Sequence, residues 1–482
     1  MIHFSRNTGG IRRLMGPPLL VLMLLASIPG VWGQETMRLG PKDAVELAVR
    51  NNLSLESARI ALDTKKRQSD LVWNLFLPTV TATGTLVGDN YKSSASATIP
   101  IPGTGTSATV RGISGELNPS FFVTDPIGLP RWHVMGNISA SLNFSFALIA
   151  GIQSIQQDYQ AGLLTLEKAR LQMEREVRKT YNQILLLEAN TKILSDSYEN
   201  ADRQAAIAEA NYQAGLAPRL SMLQAQVAVE NMKPSISELE NSLKALKASF
   251  AMTLGLPLDT IFILEEISND NLLIPLDVAE LISRAASGKP DILELQASIT
   301  TLQKGRKARA LQLYTPFLNF SWNLSSTFIQ NPWKDTWFDK DNWKGGGNFA
   351  VTLGLSLNSL FPFTQEGQAL KDMDNNMRSL NIALAQTIQG TQIEVFNKVN
   401  SLEKTQTSTV AQQSALDLAE LSYRLTEEAF RAGLQDNQAV LNANLALEQA
   451  KLQLLTQQFS YLNDLIDLEY AVGVPFGTLS SR

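Results

Sequence analysis

The sequence is an internal duplication, and whatever one half folds into, the other half must match. Ala48-x-x-Asn51-Asn52-Leu53-x-Leu55-Glu56 returns as Ala286-x-x-Lys289-Pro290-Asp291-x-Leu293-Glu294, and Leu77-Pro78 returns as Thr315-Pro316, both at an offset of 238. Tyr212-x-Ala214-Gly215-Leu216 returns as Phe430-x-Ala432-Gly433-Leu434, and Leu254-Gly255-Leu256-Pro257 as Val472-Gly473-Val474-Pro475, both at 218. The fall from 238 to 218 leaves 20 extra residues in the first half. They fall within 90–130, which is rich in Gly, Ser, Thr and Pro and reads as a long loop. The chain divides accordingly into a first repeat over 34–257, a linker over 258–275, a second repeat over 276–475 and a tail over 476–482.

Each half carries a long helix. Ile184, Leu187, Thr191, Leu194, Tyr198, Ala201, Ala205, Ala208 and Tyr212 follow a 3,4 spacing, the a/d seam of a coiled coil. Moved by 218 residues, the seam becomes Leu402, Thr405, Thr409, Gln412, Leu416, Ala419, Tyr423, Thr426 and Phe430, more polar but in the same rhythm. The spacing predicts one continuous helix over about 152–213, roughly 90 Å long. Gly215 and Gly433 suit tight turns within 214–218 and 432–436, after which the chain runs back along 219–254 and 436–472. Pro234, whose counterpart is Leu452, predicts a local kink in the first return helix.

Between the helices lie four segments of strict alternation. Val80, Ala82, Gly84 and Leu86 alternate with Thr79, Thr81, Thr83 and Thr85. Ile138, Ala140, Leu142, Phe144 and Phe146 alternate with Ser139, Ser141, Asn143 and Ser145. Leu318, Phe320, Trp322 and Leu324 alternate with Asn319, Ser321, Asn323 and Ser325. Phe349, Val351, Leu353, Leu355 and Leu357 alternate with Ala350, Thr352, Gly354, Ser356 and Asn358. Apolar on one face and small, uncharged and polar on the other, such runs suit strands with lipid outside and water inside. Alternation alone does not tell lipid from a protein core. If the membrane reading holds, four strands are too few to close a barrel, and an open edge in lipid strands backbone groups without partners. The strands then belong to a barrel shared among copies.

The remaining composition excludes more than it offers. Residues 1–33 read as a signal peptide, with Arg12 and Arg13 ahead of the apolar run Leu19–Ala26. No other apolar run reaches membrane-spanning length as a helix. The chain has no cysteine, so disulfides, thiolate metal sites and cysteine nucleophiles are excluded. His3 and His133 are its only histidines, and a net charge of −5 argues against nucleic acid. Asp335, Asp339 and Asp341 lack the spacing of a calcium loop, and the neighbouring Trp333, Trp337 and Trp343 fit a membrane interface better. Lys65-Lys66-Arg67 and Arg306-Lys307-x-Arg309 read as solvated faces near helix ends. Glu427 and Glu428, adjacent on a helix, point apart and form no acid–base pair. No metal, cofactor or catalytic constellation is expected. The rival to a channel is a periplasmic coiled-coil scaffold, which leaves the neutral, span-length strands unexplained.

The ordered and duplicated set of Asn-Asn-Leu, Leu-Pro, Ala-Gly-Leu with a long return helix, and Leu-Gly-x-Pro resembles the TolC-like outer-membrane efflux proteins over about 40–473. The resemblance implies an α+β fold. It implies a long antiparallel α-helical coiled-coil barrel in the periplasm, joined to a transmembrane β-barrel that takes four strands from each protomer. It implies a homotrimer in the outer membrane, the exit duct of a tripartite efflux pump or type I secretion system, with a periplasmic adaptor and an inner-membrane transporter as partners. Ala214, Gly215, Leu216, Ala432, Gly433 and Leu434 match the family's adaptor-contact tips. The periplasmic aperture departs from the best-studied pattern. Its acidic ring is replaced by Ala439 and Asn442, and its Tyr, Arg and Asp lock by Phe430, Gln435 and Ser221. Phe430 has no hydroxyl to donate. Arg219 and Asp436 are the charged residues left nearby. A neutral ring at Asn442 predicts weaker cation block and selectivity than an acidic one.

Overall fold

The computed structural model of the protein describes residues 37–88, 96–100, 107–111, 132–266, 277–328, 330, 332–333, 335–357, 361 and 363–479. The signal-peptide segment and most of the 90–130 insertion lie outside the described residues. The first repeat runs through β1 (Met37–Leu39), α1 (Pro41–Asn51), α2 (Leu53–Asp70), β2 (Thr79–Gly88), β3 (Ser96–Pro100), β4 (Ser107–Arg111), β5 (Trp132–Ser145), α3 (Phe146–Gln213) and α4 (Arg219–Thr253), and the linker after it holds β6 (Phe262–Leu264). The second runs through α5 (Val278–Gly288), α6 (Pro290–Tyr314), β7 (Phe317–Phe328), β8 (Trp343–Gly354), α7 (Gln365–Arg431) and α8 (Asn437–Val472). The architecture is α+β, and none of the described helices is long and apolar enough to cross a membrane.

Helix α3 has 68 residues and α7 has 67, each about 100 Å long. Their seams fold as the spacing predicts. Ala201, Ala205 and Ala208 are buried against Ala225 and Val229 of α4, so small side chains let that hairpin close tightly. On α7, Leu402, Thr405 and Thr409 are buried in the same rhythm. Helix α4 continues through Pro234, which has no N–H to offer the Glu230 carbonyl.

Two apolar cores sit at mid-height, where the helices change partners. One gathers Leu39, Ala44, Ala48, Val177, Tyr181, Ile184, Phe250, Leu254 and Phe262. The other gathers Leu281, Ala285, Val395, Val399, Leu402, Tyr461, Leu465 and Leu468. Strands β1 and β6 pair in parallel, tying the start of the first repeat to the linker that follows it. The Tyr181 hydroxyl lies 2.9 Å from the Leu39 carbonyl oxygen and 2.8 Å from that of Glu265, bridging both strands.

The structure corrects three sequence readings. Equivalent positions at the first helices are 237 apart rather than 238. Ala44 and Leu281, Ala48 and Ala285, Leu55 and Ile292 are buried pairwise, and Asn52 and Lys289 both occupy the N-cap position of a helix. The extra residue is absorbed before the strands, where α6 runs straight on and the first repeat breaks into a short 3-10 turn over Val72–Phe76. The insertion read as a loop contains a hairpin, β3 paired with β4. The fourth strand starts at Trp343 and ends at Gly354, because the Gly345–Gly347 stretch extends the ladder that alternation alone began at Phe349.

The main sheet has the order β2-β5-β7-β8, all antiparallel. Below it, α2 packs on α3, α3 on α6 and α6 on α7, the same lateral order. One layer thus runs from strands into helices, with β2 and α2 at one edge and β8 and α7 at the other.

Candidate functional site

Both helix tips are built alike. Helix α3 ends at Ala214, and Gly215 takes a φ of 73°. The Leu216 N–H donates to the Asn211 carbonyl at 2.8 Å and the Gly215 N–H to that of Tyr212 at 2.9 Å, the Schellman arrangement. At the second tip Gly433 takes 74°, and Leu434 and Gly433 donate to the carbonyls of Ala429 and Phe430, both at 2.9 Å. Only glycine adopts this backbone without strain, yet a Cβ at either position would touch nothing within 4 Å. Sequence chemistry alone therefore makes the turn. Leu216 and Leu434 project from it, 79% and 78% exposed.

Of the residues that the sequence places at the aperture, Phe430 lies in the last turn of α7, Gln435 and Asp436 in the second tip, and Arg219, Ser221, Ala439 and Asn442 in the opening turns of α4 and α8. Asp436 caps α8, accepting the Ala439 N–H at 2.9 Å, and among the described residues it forms no ion pair with Arg219. Asn442 is exposed and accepts from the Gln438 side-chain amide at 3.0 Å. Ser221 and Phe430 are half-buried, while Arg219 and Gln435 are exposed. The structure brings the seven residues to one end of the helices and leaves the charged ones apart.

Further along α8 stand two acids in opposite surroundings. Glu448 accepts from the Asn444 amide at 2.6 Å, and that amide also donates to Ser197 of α3 at 2.8 Å. Burial pushes the Glu448 carboxyl up to about 7, since one amide and the more distant Lys451 do not offset its lost hydration. Asp467, buried where Glu448 is half-buried, accepts from Arg175 at 2.7 Å, Lys179 at 3.2 Å and Lys398 at 2.8 Å. Burial alone would raise its carboxyl, but Lys398 and Arg175 hold it below the ordinary carboxylate value. Lys398 also reaches Asp464 at 2.8 Å, so the cluster joins α3, α7 and α8. No short-range pattern signals it, because Arg175 and Lys179 come from the other repeat and Lys398 from another helix, 69 positions away. The basic run at Lys65 and the one at Arg306, read as solvated, likewise pair across helices, with Asp158 at 2.9 Å and Asp374 at 2.8 Å.

The sheet sorts its side chains by row. Directly paired residues share a face, and the register sets Thr81, Ser139, Asn323 and Asn348 in one row and Thr83, Asn137, Ser325 and Gly346 in the next on that face. The opposite face carries Val80, Ala140, Trp322 and Phe349, then Ala82, Ile138, Leu324 and Gly347. Its apolar side chains stand in the open, Val80 at 64% and Phe349 at 67% exposure. Aromatic clusters bracket this face. Phe328 lies 5.4 Å from the Trp337 ring and 5.2 Å from that of Trp343 at one end, and Phe76 lies 6.4 Å from Phe144 at the other. The rows at Phe144 and Val134 are ten residues apart on β5. That is ~33 Å along a strand and about 25 Å of height at a barrel strand's tilt, the thickness of an outer-membrane apolar band.

Residues 44–256 and 281–474 match the family model described as outer membrane efflux protein. The pyoverdine export outer membrane protein OpmQ of Pseudomonas aeruginosa is 24% identical over 301 residues, 62% of this chain and 60% of that protein. The probable efflux pump outer membrane protein TtgC of Pseudomonas putida is 23% identical over 445 residues, 89% of this chain and 82% of its own length. Among solved structures, CusC superposes with a TM-score of 0.66 at 17% identity, covering 90% of this chain and 92% of its own. VceC from Vibrio cholerae superposes with a TM-score of 0.66 at 16% identity, covering 90% and 96%.

Proposed function

Because the chain belongs to the outer membrane efflux protein family, we propose that three copies of it close their sheets into one barrel and their helices into one duct, through which exported solutes leave the cell. The carrying observation is the pair of free edges on a two-faced layer. An apolar face in lipid leaves the outer N–H and C=O groups of β2 and β8 unsatisfied unless another strand takes them. Pairing β2 of one copy with β8 of the next is a heterologous contact, and such contacts close into rings. Helices α2 and α7 then meet at the same seam. The exposed Ile60 of α2, Leu71 at its C-cap, and Ile382, Ile393 and Phe396 of α7 suit that burial.

Each repeat, over 34–257 and 276–475, supplies two strands and one tip to this assembly. The exposed leucines of the two tips, with the Ala-Gly turns beneath them, form the surface for a periplasmic adaptor coupled to an inner-membrane transporter. Arg219, Ser221, Phe430, Gln435, Asp436, Ala439 and Asn442 ring the periplasmic aperture. The duct works by passive conduction rather than chemistry, so cargo choice rests with the transporter. The test is the detergent-corrected mass of the protein extracted from outer membranes. Three protomers support the shared barrel, and a monomer or dimer refutes it.

A further inference from the structure

The polar face of the main sheet is almost free of charge. Across β2, β5, β7 and β8 it carries Thr, Ser, Asn, a few small or apolar residues, His133 and Lys344. Among the described residues of these strands, Lys344 is the one Lys, Arg, Asp or Glu side chain on either face, and the buried His133, paired with Val87 in the row beyond it, is the one histidine. The register sets Lys344 opposite Thr327, in the row Thr85–Met135–Thr327–Lys344 on the polar face. Its neighbour Trp343 belongs to the apolar face, against Phe328. Lys344 therefore stands near the outer end of the water-facing wall, one row beyond Thr83, Asn137, Ser325 and Gly346. It is exposed, and among the described residues it has no ion-pair partner. The acids Asp335, Asp339 and Asp341, with Lys340, belong to the connection beyond the strand and not to its wall.

We infer that Lys344, once from each copy, forms a cationic ring at the outer mouth that favours passage of anionic over cationic solutes. The inference rests on the shared-barrel reading, which turns the polar face inward. The ring's field reaches about one Debye length, ~30 Å at 0.01 M salt and ~3 Å at 1 M. The acids of the adjoining connection lie within reach of the same field in dilute salt, so the ring's own part is the change in preference that removing Lys344 produces. The preference is therefore strong in dilute salt and absent in concentrated salt.

The chain's lack of cysteine makes the test direct. Thr327→Cys places one thiol in the Lys344 row of the full-length protein in outer membranes. Its labelling rate is measured with an anionic and a cationic water-soluble methanethiosulfonate, with Lys344 intact, Lys344→Gln and Lys344→Arg. The expected result is an anionic-to-cationic rate ratio that falls roughly fivefold in Lys344→Gln at ~0.01 M salt, is retained in Lys344→Arg, and is equal in all three at ~1 M. Labelling with a ratio unmoved by Lys344→Gln overturns the cationic ring and leaves the barrel standing. No labelling of Thr327→Cys, with the same thiol reactive in denatured protein, overturns the inward-facing wall beneath it.

Discussion

The protein ends its long helices with one glycine motif four times, and the two ends of the helical body use it differently. At the tips, Gly215 and Gly433 face open space. At mid-height, Gly255 and Gly473 adopt the same positive φ, 71° and 74°, but against other backbone. A Cβ at Gly255 would fall 2.7 Å from the Asn51 carbonyl oxygen, and one at Gly473 would overlap the Gly288 carbonyl. The acids of α8 repeat the contrast. Asp467, near mid-height, is gripped by three cations, while Glu448, nearer the tip, has an amide and little else. The mid-height belt is locked by packing and charge, whereas the tip half is held by small residues and local turns.

Substitutions at the two levels sharpen or break this contrast. Gly473→Ala combines backbone strain with overlap against Gly288, and is expected to cost ~3–4 kcal/mol, read as a loss of folded channel in denaturant titration. Asp467→Asn leaves Arg175, Lys179 and Lys398 without their common anion. The expected loss is ~2–3 kcal/mol, tempered because the cations are partly exposed. Asp467's folded carboxyl is depressed, so its contribution is full above the ordinary carboxylate range and disappears as pH falls through the lowered value. Thermal melts from pH 6 down to pH 3 should show wild type converging on Asp467→Asn.

Glu448 runs the other way. Its folded carboxyl is raised to about 7, so the neutral form is favoured and stability declines as pH climbs from the unfolded carboxylate value through 7. Glu448→Gln should be neutral at pH 4 and stabilising by ~1–2 kcal/mol at pH 8, below the full shift because water reaches part of the carboxylate. Equal melting of the two proteins at pH 8 would show that Glu448 is solvated and that the tip half carries no buried charge. The smallest effect belongs to Gly433→Ala, ~1 kcal/mol from backbone strain alone. A loss as large as that of Gly473→Ala would erase the distinction between tip and belt.

The sequence by itself determined the elements whose signal is local. Spacing of three and four residues set the seams of α3 and α7, spacing of two set which strand residues share a face, and Ala-Gly-Leu set both tips. These patterns are legible because they report the chain's own helical and pleated geometry over a few residues. Tertiary structure alone decided the lateral order β2-β5-β7-β8, and with it which edges stay free. It alone brought Arg175 to Asp467 across 292 positions of chain, and left Glu448 without a comparable partner. It also placed Lys344 near the outer end of a wall whose described strands hold no other Lys, Arg, Asp or Glu, where sequence showed only a lysine after a tryptophan. Burial and charge pairing depend on segments that meet only when the chain is folded, and no periodicity along one segment encodes what packs against it.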